Sequence, residues 1–324
     1  MSTFLPRPRG AILFNPNAGK GRGYEALSSA RCPPGFALRR TASVEELAQV
    51  AEDLFRDPPE LVALAGGDGT LMAALSAFHR ASAGRPLPAF AILPFGTVST
   101  IARNVGIKGR GVRYAQQALG RLAAGHGTKR LQRTLKVRDA SGDERIGFIF
   151  ATGLVARFFE EYDRQDKQGL GTAAKLAARL FGGAVLGTSH ARHVIAPQPM
   201  ELVVDGTRAP GNRFSLVATS VLEDLGLSMR LTPRARARPG KLQIVASTRD
   251  AQNLATQVPF VLAGRPLWGM GHVDVLAEAL RLSFTGPLTS YVLDGDRFDV
   301  PRDGGAAPWV SVTPGPDIEI WLPS

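Results

Sequence analysis

Cysteine, long apolar runs and acidic residues are all scarce in this sequence. Cysteine occurs once among the 324 residues, at Cys32, which excludes an intrachain disulfide and any metal site built from cysteines. The longest apolar runs, such as residues 61–65 and 260–263, are far too short to cross a bilayer. Residues 1–10 are basic and contain proline, and they lack the apolar region of a signal peptide. These features predict a cytoplasmic protein.

Acidic side chains are outnumbered by basic ones, with 28 Asp and Glu against 39 Lys and Arg and a formal net charge of +11. Such a charge attracts nucleic acid, nucleotide phosphates or an acidic membrane surface. A surplus of solvated arginines, as a GC-rich genome encodes, would give the same value. The five histidines show no spacing that would place them on one helix face, so a zinc site is not expected.

The first part of the chain alternates between strand-like and helix-like stretches. Apolar runs at 11–15, 61–65 and 90–93 each end in a loop that contains glycine, and Ser43 with Glu46 has the spacing of a helix capping box. Strands that alternate with helices predict an α/β domain, with a parallel sheet flanked by helices and ligands beyond the carboxyl ends of the strands. All three glycine loops are expected at that edge.

From about Lys129 the pattern changes to short strands joined by turns, which predicts a second, mainly antiparallel β domain. Residues 170–186 are expected to form its main helix, and residues 318–322 a last strand that returns to the first domain. The predicted boundaries are 1–130 for the α/β domain, 131–307 for the β domain and about 308–324 for the returning segment. The predicted strands of the second domain are 131–137, 146–151, 201–204, 214–218, 242–246, 280–284 and 291–293.

The most informative loop is Gly66-Gly67-Asp68-Gly69-Thr70, which follows an apolar strand and precedes a helix. Glycines let the backbone adopt positive φ and approach a phosphate closely, and the amide groups at the start of the helix attract anions. Asp68 would bind Mg²⁺ through water or orient a lysine or a hydroxyl, and its carboxylate has no evident packing role. An ordinary tight turn with a solvated aspartate is the alternative.

Two further loops give weaker signals. Residues 15–23, which include Asn15, Gly19 and Lys20, carry glycines and cations that suit a nucleotide phosphate. They do not form a P-loop, because glycine rather than Ser or Thr follows the lysine. Residues 94–97, Pro-Phe-Gly-Thr, place a glycine beside a hydroxyl at a helix start, which suits another anion or nucleotide contact. The alternatives are a solvated loop for the first and a simple helix cap for the second.

In this order, the NPxxG, GGDGT and PxGT loops resemble those of the diacylglycerol kinase, sphingosine kinase and bacterial lipid kinase family. The resemblance continues in outline through residues 239–242, 294–296 and 312–315. It implies that ATP lies on loops of the first domain, in the cleft facing the second, and that a β-sandwich domain receives the lipid. It assigns nucleotide contacts to Asn15, Gly19, Thr41, Gly66, Gly67, Asp68, Gly69, Thr70 and Thr97.

The resemblance also points to a carboxylate late in the sequence. The turn Asp294-Gly295-Asp296 corresponds to the family's Asp-Gly-Glu, whose last carboxylate takes the proton from the lipid hydroxyl. Asp296 would have this catalytic role with a side chain one methylene shorter, and Asp68 is the second candidate for a catalytic carboxylate. A simple Asp-Gly hairpin turn is the alternative.

Several positions depart from the family pattern. Met72 and Ala73 stand where the family often has Asn and Glu, and Ser99 and Thr100 stand where it has Asn and Asp. The turn at residues 238–243 has no carboxylate, so we expect no structural metal there, although bacterial members often bind Mg²⁺ in this turn. Catalytic Mg²⁺ is expected to bind together with ATP, because phosphoryl transfer requires charge neutralisation between the β- and γ-oxygens.

One apolar segment surrounds Pro266 and includes Phe260, Leu267 and Trp268. We interpret it as a cluster of core residues, and the lining of a lipid pocket is the alternative.

The sequence therefore predicts an ATP- and Mg²⁺-dependent kinase of a lipid such as diacylglycerol or a sphingoid base. The expected partner is a lipid at an acidic membrane surface, bound peripherally and in a salt-sensitive manner, and not a nucleic acid. Two alternatives stay open. An NAD-kinase-like enzyme also uses a GGDG loop, but we find no second glycine-rich motif for NAD. A catalytically degenerate protein that binds nucleotide or lipid would account for the departures from the family pattern.

Overall fold

The structure is a computed structural model of the chain that describes residues 10–18, 27, 32–96, 98–165, 169–302 and 307–324. The chain divides into two compact units. The first comprises Met1–Arg133 and Asp317–Ser324, and the second comprises Thr134–Pro316.

The first unit contains a largely parallel sheet. Its strands, within the described residues, are β1 (Gly10–Phe14), β2 (Phe36–Arg40), β3 (Leu61–Gly66), β4 (Ala89–Pro94), β5 (Gly127–Gln132) and β19 (Ile318–Pro323), in the order β2-β1-β3-β4-β19-β5. Neighbouring strands pair in parallel from β2 to β19, and only the β19–β5 pair is antiparallel. The last strand of the chain thus lies inside the sheet of the first unit.

Helices accompany this sheet, and sequence features explain where they begin. The described helices of the first unit are α1 (Val44–Leu54), α2 (Asp68–Ser82), α3 (Thr100–Asn104) and α4 (Gly111–Ala123). The predicted capping box begins α1: Ser43 Oγ accepts from the N–H of Glu46 at 3.1 Å, and the Glu46 carboxylate accepts from the N–H of Ala42 at 2.7 Å. Strands β3 and β4 are buried along their whole length. The predicted α/β domain is confirmed.

The second unit is built from two antiparallel sheets. One has the order β10-β9-β15-β18-β6-β7 with β11 on β9, and the other has the order β14-β13-β12-β8-β16-β17. The strands of the first of these sheets are β6 (Leu135–Asp139), β7 (Glu144–Gly147), β9 (Gln198–Val204), β10 (Thr207–Arg208), β11 (Arg213–Phe214), β15 (Leu280–Phe284) and β18 (Trp309–Pro314). Those of the second are β8 (Ile149–Gly153), β12 (Leu216–Ser220), β13 (Leu242–Ser247), β14 (His272–Ala277), β16 (Ser290–Leu293) and β17 (Asp296–Asp299).

Buried polar groups join the two sheets. The Tyr291 hydroxyl on β16 donates to Asp139 on β6 at 2.8 Å, and Arg145 on β7 contacts both of these side chains. The Tyr291 hydroxyl therefore has partners although its side chain is fully buried. The predicted antiparallel β domain is confirmed.

A helical layer completes the second unit. Its described helices are α5 (Leu154–Asp163), α6 (Leu170–Val185), α7 (Ser189–Ile195) and α8 (Ala251–Leu262), and they share one apolar cluster. The predicted helix at 170–186 corresponds to α6. Helix α8 was not predicted from the sequence, and it contains a proline, Pro259, in its last turn.

Two predicted strands were wrong as single elements. The stretch 131–137 is divided between β5 and β6, because the chain leaves the first unit after Arg133. The stretch 146–151 is divided between β7 and β8, because the chain passes from one sheet to the other at Phe148. The chain also returns to the first unit at Asp317 rather than at about residue 308, because β18 pairs with β6 and β15 within the second unit.

Candidate functional site

The glycine loops of the first unit lie at one edge of its sheet, as predicted. They follow the carboxyl ends of β1, β3 and β4, which pair in parallel with one another. The N–H of Asn15 donates to the carbonyl of Ala65 at 3.1 Å, and the N–H of Thr41 donates to the carbonyl of Phe14 at 2.9 Å. Two of the predicted contact residues, Gly19 and Thr97, lie outside the described residues.

Asn15 connects the loop after β1 to the GGDGT loop. Its Nδ2 donates to Thr70 Oγ1 at 3.0 Å, and its Oδ1 accepts from the N–H of Asn17 at 2.9 Å. Thr70 in turn lies against Gly66, where an added Cβ would be 2.4 Å from the Thr70 Cβ. The side-chain amide of Asn15 therefore fixes the relative positions of both loops.

Glycine is required here for close approach. A Cβ on Gly96 would lie 2.8 Å from the Cα of Gly67, which is closer than real Cβ contacts allow. Gly67 has φ −95°, and neither Gly66 nor Gly96 has positive φ. Gly66 and Gly67 therefore serve close approach rather than positive φ, because the loop enters α2 from an extended conformation.

The Asp68 carboxylate caps α3. The N–H of Thr100 donates to Asp68 Oδ2 at 2.7 Å, and the N–H of Ile101 donates to Oδ1 at 3.4 Å. Burial raises the pKa of Asp68 above its ordinary value, and these two amides and the Arg103 charge partly offset the rise. The expectation that this carboxylate has no packing role was wrong: it connects the second loop to the helix that follows the third.

The start of α2 has no side-chain cap. The first amides of a helix have no intrahelical acceptor, and the N-cap of α2 is Gly67, which has no side chain to satisfy them. They carry the partial positive charge of the helix dipole. At α3, by contrast, Asp68 already accepts from the first amides. The helix start after the third loop, which the sequence suggested as an anion contact, is therefore occupied by Asp68.

The positions that depart from the family pattern provide little polar functionality at this edge. Met72 is buried on α2, and Ala73 has no polar group. Ser99 has φ 51° and precedes α3, with its hydroxyl donating to the carbonyl of Gly96 at 3.2 Å. Thr100 is buried at the first position of α3.

The late Asp-Gly-Asp turn belongs to the second unit and separates its two carboxylates. Asp294 and Gly295 have φ of 52° and 97°, and they form a two-residue hairpin between β16 and β17. The Asp294 carboxylate is buried and accepts from the N–H of Phe148 at 3.0 Å and from that of Ile149 at 2.8 Å. It thereby holds the break between β7 and β8. Asp296 begins β17 and is exposed.

Polar side chains surround the turn at 238–243. Gln243 Nε2 donates to the Asp274 carboxylate at 2.7 Å, and Arg234 pairs with the same carboxylate at 2.7 Å. Lys241 lies 3.6 Å from Glu278. Within the described residues, no three side chains of the His, Cys, Asp and Glu types cluster as metal ligands.

Sequence reasoning missed the residues that position the candidate carboxylates. Thr100 and Ile101 bind Asp68, and Phe148 and Ile149 bind Asp294, in both cases through backbone N–H groups. Almost any residue can donate from its backbone N–H, so such partners cannot be recognised in a sequence by residue type. The sequence indicated that a helix starts after the third loop, but it did not indicate that the Asp68 side chain caps this helix.

The loops and sheets define a class of protein: an α/β unit with interlocked glycine loops at its carboxyl edge, combined with an antiparallel β unit. Residues 9–129 match the family model of the diacylglycerol kinase catalytic domain. This match confirms the resemblance predicted from the three loop motifs and supports a lipid kinase family.

Solved structures extend the likeness over nearly the whole chain. A candidate diacylglycerol kinase from Bacillus anthracis str. Sterne has a TM-score of 0.67 at 15% identity, with 95% of each chain covered. A diacylglycerol kinase from the same organism has a TM-score of 0.61 at 13% identity, covering 98% of this chain and 97% of that one. At these identities the likeness establishes the fold.

None of the curated proteins matches this sequence. Among the described helices, none has the length and apolarity needed to span a bilayer.

Proposed function

We propose that the protein is an ATP-dependent lipid kinase that transfers the γ-phosphate to a hydroxyl of a lipid such as diacylglycerol or a sphingoid base. The main support is the interlocking of the glycine loops through Asn15, Thr70 and the Gly67–Gly96 contact, next to the uncapped start of α2. The catalytic-domain match over residues 9–129 supports the same reading. A helix start without a side-chain cap suits phosphate, because its amide donors are already oriented before the anion arrives.

The residues at this edge fit a nucleotide phosphate. Asn15, Thr41 and residues 66–70, together with Gly19 and Thr97, would hold ATP, with the phosphates near the first amides of α2. ATP with Mg²⁺ supplies the transferable phosphoryl group and neutralises charge between its β- and γ-oxygens. Mg²⁺ usually retains several waters and binds to substrate phosphates with one or two carboxylates, so we propose that it binds together with the nucleotide. For the turn at 238–243, the absence of a structural metal stays a prediction.

Two carboxylates receive different roles in this proposal. Asp68 accepts from two backbone amides, and these bonds hold the ends of the second and third loops together. We therefore assign it first to positioning the nucleotide loops. Asp296 is the exposed carboxylate of the Asp-Gly-Asp turn, whereas Asp294 is buried under backbone donors. We assign to Asp296 the role of the base that accepts the proton of the lipid hydroxyl.

The direct test is transfer of radiolabel from ATP to a total lipid extract, with the labelled product identified by mass. Wild type is expected to label one lipid class, and Asp296→Asn is expected to label it at least about 10² times more slowly. Asp299→Asn is the matched control, because Asp299 is an exposed aspartate on the same strand. It should label lipid at the wild-type rate.

Other outcomes identify the alternatives. Transfer of label to NAD and not to lipid would establish an NAD-kinase-like enzyme. Tight ATP binding without transfer to any lipid would establish a degenerate binding protein. Either result would overturn the proposed lipid kinase activity. The proposal also places the protein in the cytoplasm, peripherally associated with an acidic membrane surface where its substrate resides.

A further inference from the structure

Exposed apolar side chains concentrate on the helical layer of the second unit. Of the ten large apolar side chains that are exposed in the described part of the chain, six lie on α6, on α8 or on the loops after them. They include the most exposed of all, Leu186 and Met270 at 83% each and Trp268 at 74%. The interpretation of Trp268 as a core residue was therefore wrong. We call this set the apolar surface: Leu170, Val185, Leu186, Leu262, Trp268 and Met270.

Helix α6 is apolar on its buried side and largely apolar on its exposed side. Leu176, Leu180 and Ala184 point into the cluster shared by α5 to α8. The exposed side presents Leu170 at the first position and Val185 at the last. Its polar side chains are limited to Thr172, Lys175 and Arg179. A surface helix ordinarily exposes a charged face, so an apolar exposed side indicates a partner.

The loop after α8 is held in its exposed position by specific bonds. The N–H of Trp268 donates to Gln257 Oε1 on α8 at 2.8 Å. Arg249, just before α8, donates from Nε to the carbonyl of Met270 at 2.6 Å. The loop therefore runs back along α8 with Trp268 and Met270 outward. Helix α6 packs against α8, and a Cβ on Gly187, just after α6, would be 3.3 Å from Gln252 Nε2 on α8.

Charge within the two segments that carry the apolar surface is of one sign. None of the 28 Asp and Glu residues lies within 167–200 or 251–273, the two segments that form α6, α7, α8 and the loop after α8. These segments carry the exposed cations Lys175, Arg179, Arg192 and Arg265. Four acids stand directly at the ends of these segments: Asp166, Glu201, Asp250 and Asp274. Glu201 pairs with Arg208 at 3.5 Å, Asp250 caps α8 and Asp274 pairs with Arg234 at 2.7 Å, while Glu161 on α5 lies 3.2 Å from His190.

We propose that the apolar surface docks on an anionic phospholipid bilayer, with Trp268, Met270 and Leu186 entering the interface and the surrounding cations contacting lipid headgroups. This inference rests on the proposed function, because a bilayer substrate requires the enzyme to bind at the membrane. Tryptophan prefers the membrane–water interface, and the stems of Lys and Arg can lie along apolar surface while their charges reach the headgroups. A short amphipathic element with a cationic rim binds in the plane of the interface.

Tryptophan fluorescence tests the geometry directly. Trp268 is the exposed one of the three tryptophans, since Trp321 is buried and Trp309 is half-buried under the Arg281 guanidinium. With vesicles that contain phosphatidylglycerol, emission should shift to shorter wavelength and be quenched by brominated lipids. Trp268→Phe should abolish both changes while leaving vesicle cosedimentation within a few-fold.

Binding of variants then tests the surface. Trp268→Ser with Met270→Ser, and separately Lys175→Glu with Arg179→Glu, should each lower affinity for anionic vesicles at least about tenfold. The matched controls are Leu131→Ser, at an exposed leucine on β5, and Arg113→Glu with Arg121→Glu on α4. They should bind vesicles like wild type. Wild-type binding should fall as salt rises and be weak on phosphatidylcholine alone.

The outcomes separate the docking surface from the kinase activity. All of these variants should phosphorylate a short-chain lipid dispersed in solution at the wild-type rate. Equal vesicle binding by the surface variants and wild type would overturn the docking proposal and leave the kinase activity intact. The docking proposal would also be overturned if the surface variants lost a self-association of wild type, measured by sedimentation velocity, but still bound vesicles. The apolar surface would then join two copies of the chain. Vesicle binding through this surface without transfer to any lipid would instead overturn the proposed activity.

Discussion

The N–H of Thr100 donates to the carboxylate of Asp68 at 2.7 Å, across 32 positions of the chain. This bond connects the start of α2 to the start of α3. Asp68 thus holds the glycine loops together and also contributes a carboxylate to them. Its replacement is expected to affect both stability and turnover, and different substitutions separate the two effects.

Asp68→Ala should abolish kinase activity and lower the free energy of unfolding by about 0.5–2 kcal/mol, the usual effect of removing a helix cap. Asp68→Asn retains an acceptor oxygen and should recover most of that stability without recovering activity. Denaturant unfolding and the lipid kinase rate are the measurements. Near-wild-type turnover in the alanine variant would remove Asp68 from the mechanism.

The Asn15–Thr70 hydrogen bond should be measurable as a coupling energy. Asn15→Ala and Thr70→Val are expected to show an interaction of about 0.5–1.5 kcal/mol in a double-mutant cycle on unfolding. Both should also weaken ATP binding, because the loops lose their fixed relative position. Thr70→Ser keeps the hydroxyl and serves as the control. Strictly additive effects would show that the two loops are held independently.

Gly96→Ala tests the close contact between the second and third loops. The new methyl would meet the Gly67 backbone at 2.8 Å, so the loops must separate, at a cost of about 1–3 kcal/mol. ATP affinity, measured by calorimetry, should fall with stability. Gly120→Ala is the control, because a Cβ there has no neighbour within 4 Å and the position lies inside α4. It should raise stability by about 0.5–1 kcal/mol, and equal losses in the two variants would contradict the contact argument.

Substitutions of the two aspartates of the late turn should affect different properties, turnover for Asp296 and stability for Asp294. Asp296→Asn should lower kcat by about 10² or more with ATP affinity within a few-fold, because a base acts in the transition state. Asp296→Glu should remain active. Asp294→Ala should lower the free energy of unfolding by about 1–3 kcal/mol, because it leaves buried amides of the β7–β8 break without an acceptor. If Asp296→Asn turned over lipid like wild type, Asp68 would become the leading candidate for the base.

Asp250 gives a pH-dependent prediction for α8. Its pKa is lowered, mainly because the N–H of Asn253 donates to its carboxylate and the Asn253 side chain adds a second bond. A lowered native pKa contributes stability that is present above the ordinary pKa of Asp and lost as pH falls through the native value. Asp250→Asn keeps a capping oxygen but not the charge. The stability difference from wild type should therefore be largest near neutral pH and disappear in acid, as thermal unfolding at several pH values would show.

The parallel sheet and the placement of the glycine loops at one edge could be predicted because they follow from local patterns. Apolar runs that end in glycine loops predict parallel strands, and parallel strands bring those loops to one edge. The partner of Asp68 could not be predicted, because it depends on the backbone path between Gly96 and Thr100. The contact between Gly67 and Gly96 likewise depends on tertiary packing.

The predictions that were wrong also have physical causes. The strand breaks at Arg133 and Phe148 lie between residues that favour strands on both sides, so the sequence shows no interruption. Helix α8 contains Pro259, which normally marks a helix end. Trp268 was assigned to the core because an apolar run has the same composition whether it packs inside the protein or against a partner. Burial depends on where the chain turns, which residue type alone does not specify.

The position of β19 has a consequence for synthesis of the protein. This strand consists of nearly the last residues of the chain, yet it lies between β4 and β5 in the sheet of the first unit. Domains generally fold as units during translation, from the N-terminus onward. The first unit is an exception here, because its sheet stays incomplete until β19, which follows the whole second unit in the chain, has been synthesised. A nascent chain thus completes the second unit before it completes the sheet that carries the glycine loops.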